Sequence, residues 1–183
     1  EELERRLRTL PNVKAVGAVT QLPLTGQGPL QPYAYDAETA RNWEQLSADN
    51  FGVTPGYSPA VGATLTAGRD FRDDDVRGER RVIVIDDSLA RRAFGGSVNA
   101  VGRLLQLEPE GTPESFYEVI GVVAHMRYHD LRRALLPQIY QPGVLFNFSI
   151  VLRGDANAAA RTLAPAPQAA GAVLVSPWVD LAM

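Results

Sequence analysis

The chain's only two histidines, His125 and His129, stand four residues apart in His125-Met126-Arg127-Tyr128-His129-Asp130. On a helix that spacing puts both rings on one face, where they and a nearby carboxylate would share a metal ion. The glutamate that follows the first histidine of an H-E-x-x-H site is missing, and the segment leaves a strand instead of opening a helix. The pattern therefore favours two loop histidines beside Arg127 and Arg132. Asp73, Asp74 and Asp75 run consecutively, as do Asp86 and Asp87. A hard-cation loop alternates its ligands around a glycine, so these runs read instead as a solvated loop and a helix cap. Nucleophile chemistry has no foothold: there is no cysteine, no Gly-x-Ser-x-Gly elbow and no phosphate-cradling Gly-x-x-x-x-Gly-Lys. Gly26-Gln27-Gly28 runs into Pro29 with no helix start to receive a phosphate, and reads as a turn. Asn147-Phe148-Ser149 matches the glycosylation acceptor pattern at a strand start and is assigned no role. No catalytic, cofactor-binding or metal-binding residue is assigned.

Composition narrows the classes further. The chain has 183 residues, 45% hydrophobic and 21% charged, with a formal net charge of -3. That is ordinary globular usage with enough length for a buried core, and zero cysteines exclude a disulfide-stapled scaffold. A net acidic chain is not drawn to nucleic acid by its overall charge, and Arg91-Arg92 and Arg132-Arg133 lack the aromatic interleaving of a nucleic-acid surface. No run approaches the ~18 apolar residues of a membrane-spanning helix. The first residue is Glu1, and EELERRLRTLP reads as the end of a helix that begins upstream.

The elements follow from periodicity. Leu3, Leu7 and Leu10 make a narrow helical stripe that Pro11 stops, and Val13 to Thr20 reads as a strand. Three prolines and two glycines between Gln21 and Pro32 predict a long loop. An extended stretch is expected through Trp43, Leu46, Phe51 and Val53, then a turn at Pro55-Gly56 and a short helix through Val61. Arg81 to Ile85 is a β-branched buried strand; Asp86 or Asp87 caps the helix SLARRAF, which ends at Gly95-Gly96. Gly102 to Glu108 and Phe116 to Ala124 predict a hairpin with a longer loop. Leu131, Leu135 and Leu136 suggest a helical turn. Pro137 and Pro142 flank a strand expected at a sheet edge, because proline cannot donate to a ladder. Phe148 to Arg153 and Ala172 to Ser176 are further strands, with a helix capped by Asp155 between them. Strands and helices interleave with hairpins among them, so the expected class is α+β with mixed sheets. Tyr33, Tyr35, Trp43 and Phe51 would line a ligand surface beside the Pro/Gly loop or fill a core; aromatic burial favours the core.

The order LPNVKAVG, VTPGYSPAVG, GRDF, RVIVIDDSLARRAF, VGRLL, YEVIGVVAHMR, PQIYQP and SIVLRGD resembles the MacB-like periplasmic core domain of FtsX-like ABC-transporter permeases, over roughly Leu3 to Arg161. It is most similar to the duplicated permeases of acidobacteria. It departs at Ala124-His125, where the family commonly carries Gly-Asp after GVV. The resemblance implies a porter-like βαβ subdomain from residues 1–64 and 144–183, near the membrane, and an inserted α/β subdomain from residues 65–143, far from it. It also implies a non-catalytic periplasmic domain of an inner-membrane permease, with no cofactor. Its partners would be the permease's own transmembrane helices, a cytoplasmic ATPase subunit or domain, a second copy and a periplasmic protein. Arg69 with Asp70 and the acidic run would fix the junction between subdomains. The helix Glu1 to Leu10 and the strand near Val175 would act as levers. The readings set against this are a small-molecule or lipid-binding module beside Tyr33 to Trp43 and a metal-dependent hydrolase built on His125 and His129.

Overall fold

A computed structural model of the chain describes residues 2–10, 13–22, 29–43, 45–127, 136–143, 148–154 and 173–175. The expected helix at Asp155, the helical turn at Leu131 and Leu135, and the Gly26-Gln27-Gly28 turn lie outside these residues.

The described strands form one mixed sheet in the order β10-β9-β1-β3-β8-β5-β7-β4, with β2 paired to β3 and β6 to β7. Its first half holds β1 (Val13–Val19), β3 (Ser47–Val53), β9 (Ser149–Gly154) and β10 (Val173–Val175). Its second half holds β4 (Leu65–Gly68), β5 (Val82–Asp86), β6 (Leu104–Gln106), β7 (Phe116–Val123) and β8 (Gln138–Pro142). The two halves meet where β3 runs parallel to β8, in the register Asp49↔Gln138 to Val53↔Pro142. Parallel pairs β5–β7 and β9–β10 sit among antiparallel ones, so the sheet is mixed as the sequence predicts.

Why β5 reads as a continuous apolar run is visible in its surroundings. All five residues are buried. Val82 and Val84 face one core with Phe51, Tyr57 and Tyr140, while Ile83 and Ile85 face another with Leu89, Leu105 and Val119. A strand covered on both faces has no polar position to alternate with. The first of these cores also takes Val19, Val53 and Val151 from the other half of the sheet, so it runs across the seam. Leu7 packs with Val16, Ala18, Ile150 and Leu152 in a third, smaller cluster.

Helices lie on both faces. α1 (Glu2–Arg8) brings Leu7 onto β1 and β9, and α3 (Tyr57–Val61) buries Tyr57 and Ala60 on the opposite face of β1. Gly17 makes that second contact possible, because a Cβ there would stand 2.3 Å from the Tyr57 amide nitrogen. Gly121 does the same for β4: its Cβ would meet the Arg69 carbonyl oxygen at 2.1 Å. α5 (Asp87–Phe94) starts at the Asp86 cap and ends at Gly95 in the left-handed conformation, and α6 (Ser97–Ala100) follows it.

Four expectations need correction. The stretch expected to be extended through Trp43 and Leu46 becomes strand only at Ser47, and a helix, α2 (Ala37–Arg41), comes before it; Asp36 caps α2, accepting from the Thr39 amide at 2.8 Å. Asp73 to Asp75 are not loop residues but the first turn of α4 (Asp73–Arg77), where carboxylates suit the positive end of the helix dipole. The end of the Pro/Gly loop is strand β2 (Leu30–Pro32), paired with Ser47 to Asp49. β8 is internal, not at an edge: it pairs with β3 on one side and β5 on the other. Its antiparallel register with β5 spans only Ile139 and Tyr140, so the prolines at 137 and 142 fall beyond those rungs and remove no donor from them.

Candidate functional site

The root of α1 is held by polar contacts that the sequence gives no local reason to expect. Glu4 is buried, and its Oε1 accepts from Thr54 Oγ1 at 2.5 Å. The same hydroxyl accepts from the Ala18 amide at 2.7 Å, and the Thr54 amide donates to the Ala18 carbonyl at 3.0 Å. Thr54 thus joins a helix carboxylate to the β1 backbone, its hydroxyl both donating and accepting. One turn later Arg8 Nη2 donates to the Pro55 carbonyl oxygen at 2.6 Å. With Leu7 in its apolar cluster, α1 is fixed to the sheet by three successive side chains facing one way.

Across from α1 stands α4. The two helices bound a cleft of about 720 Å³ lined by Glu4, Arg5, Arg8, Thr9, Thr54 and Pro55 on one side and Asp73, Val76 and Arg77 on the other. α4 is tied in turn to the end of β4 by a two-pronged ion pair. Arg69 Nη1 and Nη2 donate to Asp75 Oδ2 and Oδ1 at 2.6 and 2.8 Å, and the Arg72 amide adds a third bond to Oδ2. The Arg69 guanidinium holds the Asp75 carboxyl below its ordinary range, and Asp75 raises Arg69. Of the ion pairs expected at this junction, Asp75 makes the one to Arg69, while Asp70 instead caps the following amide, Phe71, at 2.8 Å.

The residues that first suggested chemistry gather at the C-terminal ends of β5 and β7. Asp86 is fully buried, and its carboxylate accepts from the Leu89 amide at 2.9 Å, Ser88 Oγ at 2.6 Å and His125 Nδ1 at 2.5 Å. Asp87 accepts from the His125 amide at 3.2 Å and pairs with Arg91. The departure from the resembled pattern at Ala124-His125 falls here: the imidazole supplies a donor to a buried carboxylate. Beside it the buried Gln138 amide grips the backbone of Met126, accepting from its N–H at 3.1 Å and donating to its carbonyl, while Tyr140 donates to Gln138 Oε1 at 3.0 Å. Serine, histidine and aspartate are together, but the wiring is not that of an acyl-transfer triad. There the hydroxyl bonds the imidazole; Ser88 donates to the aspartate instead, so nothing activates it. His129 lies outside the described residues, and among those described no three His, Cys, Asp or Glu side chains are placed to hold a metal.

The early aromatics separate. Tyr33 and Phe51 are buried in different cores, and Tyr35 packs at the edge of the Tyr33 cluster against Phe94. Burial pushes the Tyr33 phenol up, with Arg92 opposing. The ring surfaces of Tyr33 and Phe51 are therefore used in packing and not offered to a ligand. Sequence reasoning missed the Glu4–Thr54 and Gln138–Met126 contacts; the Asp36-x-x-Thr39 spacing of α2 was the one missed signal present locally.

Solved extracytoplasmic domains of ABC-type transporters share this fold. The periplasmic region of MacB from Actinobacillus actinomycetemcomitans superposes with a TM-score of 0.56 at 18% identity, covering 87% of this chain and 68% of that one. The extracellular domain of the noncanonic ABC-type transporter YknZ from Gram-positive bacteria gives 0.55 at 18% identity, covering 88% and 76%. At such identities the likeness is one of fold. No curated protein sequence matched the chain. The family model for the MacB-like periplasmic core domain matches residues 1–171, and the chain belongs to that family. It is a MacB-like periplasmic domain of an ABC-transporter permease-like protein. No helix among the described residues is long and apolar enough to cross a membrane.

Proposed function

We propose that this domain is the non-catalytic part of an inner-membrane permease and couples motion of the transmembrane helices to events in the periplasm, such as export or engagement of a partner protein. The observation that supports it is the root of α1. A helix that transmits displacement must move as one body with the domain it moves, and Glu4, Leu7 and Arg8 join α1 to β1 and to the Thr54-Pro55 bend. ATP hydrolysis in a cytoplasmic subunit or domain would move the membrane helices, and two copies of the domain would separate or close as rigid bodies. We further assign residues 1–64 and 144–183 to a membrane-proximal subdomain and residues 65–143 to a distal one. The grouping of β1, β3, β9 and β10 on one side of the β3–β8 seam supports that division.

The test uses the whole permease with its ATPase in vesicles. In a permease and ATPase whose other cysteines have been replaced, a single cysteine introduced on the exposed face of α1, at Arg6, can join two copies. Oxidation should stop transport while ATP binding continues, and reductant should restore it. Transport that continues with the two helices joined overturns the lever reading.

A further inference from the structure

The chain is net acidic, yet the cleft between α1 and α4 sets Arg8 and Arg77 against two carboxylates, Glu4 and Asp73. One of those carboxylates, Glu4, is buried and spent on Thr54. A second cleft of about 380 Å³ adjoins it, sharing Arg8 and Pro55 and adding Lys14, the only lysine in the chain. Arg8 is oriented by the Pro55 carbonyl, so its guanidinium is placed before any ligand arrives. Arg77, in the last turn of α4, is exposed and makes no ion pair with a described residue. Guanidinium groups converging from two elements recognise the oxygens of a tetrahedral oxyanion with paired donors, and a cleft of this volume has room for more than a bare ion.

We propose that this cleft binds a phosphate group, carried by a soluble organic phosphate or by an anionic lipid headgroup, between Arg8 of α1 and Arg77 of α4. Asp73 faces the same space and opposes the ligand, which gives the site a signature that packing alone would not produce. Removing Arg77 weakens binding and neutralising Asp73 strengthens it. The site stands on its own geometry, and its failure would leave the coupling role of α1 untouched, as would the reverse.

The experiment titrates the 183-residue chain with inorganic phosphate by calorimetry, holding ionic strength constant with chloride. Saturable binding is expected, weakened roughly fivefold or more in Arg77→Gln, tightened in Asp73→Asn and unchanged in Arg91→Gln on α5. Flotation with phosphatidylglycerol vesicles, against phosphatidylcholine vesicles, then separates the sources. Association that phosphate competes away assigns the site to a lipid headgroup; phosphate binding without vesicle association assigns it to a soluble phosphate compound. The proposal is overturned by no saturable response up to about 10 mM phosphate. It is equally overturned by binding that Arg77→Gln leaves intact, or by vesicle association that phosphate does not compete.

Discussion

Replacing Thr54 by valine keeps the shape of the side chain and removes its hydroxyl, which isolates the polar root of α1 from its packing. Two buried groups then lose a partner: the Glu4 carboxylate, 2.5 Å from Thr54 Oγ1, and the Ala18 amide at 2.7 Å. An orphaned buried donor costs about 1–3 kcal/mol and an orphaned charge at least as much, so ~3 kcal/mol in total is a moderate expectation. For a domain of this size each kcal/mol lowers Tm by about 3 °C, which places the variant about 9 °C below the wild type. Circular dichroism melts give that number, and hydrogen exchange at the amides of Leu7 and Arg8 reports whether α1 has loosened. Thr54→Ser restores the hydroxyl and should recover most of the loss. A valine variant melting within about 1 °C of the wild type, or a serine variant as weak as the valine one, would refute the idea that this hydroxyl roots the helix.

Other substitutions probe the rest of the frame. Gly17→Ala drives a Cβ to 2.3 Å from the Tyr57 nitrogen, so α3 must shift; a loss of about 2–3 kcal/mol in urea unfolding is expected, and a neutral result would mean the contact is not that close. Arg69→Gln should cost about 1 kcal/mol near neutral pH, since Arg69 is a third exposed. Asp75 titrates lower in the folded chain than in the unfolded one, so this stabilisation is complete above the ordinary aspartate range. It fades as pH falls through the lowered native value, and the two denaturation curves should converge only below that value. Asp86→Ala strips partners from Leu89, Ser88 and His125 at once; a loss of about 2–4 kcal/mol and faster exchange at the His125 and Met126 amides are expected, and unchanged exchange would show that Gln138 alone holds that segment.

Local chemistry carried the reading wherever one stretch of chain settles its own structure. The run Val82 to Ile85, an aspartate and then SLARRAF could be read as strand, cap and helix because each signal acts within a few residues, and Asp86 and Gly95 take those positions. α2 escaped notice because it buries none of its residues, so there is no apolar period to see. β8 was expected at an edge from its prolines, but whether a proline breaks a ladder depends on a register with β5 that the sequence around it does not contain. The same holds for the candidate site. Glu4 and Thr54 are fifty positions apart, and Arg77 faces α1 only because the Arg69–Asp75 pair sets α4 on the end of β4. The histidines drew attention as ligands, yet the described one serves a buried carboxylate made legible only as a cap.

The pairing of β1 has a consequence for how the chain reaches its folded state as it is synthesised. β1 touches β3 through the single described pair Val19↔Val53, whereas its continuous partner is β9, close to the other end of the chain. Made well before β9, the apolar strand β1 must wait, without its main ladder, until that strand follows. Long-range pairings of this kind form slowly and leave strand edges exposed in the interval. The helix before it and the turn at Thr54-Pro55 are both made before β9 and can shield Val13–Val19, so the contacts that root α1 also act as a temporary cover against association with other chains.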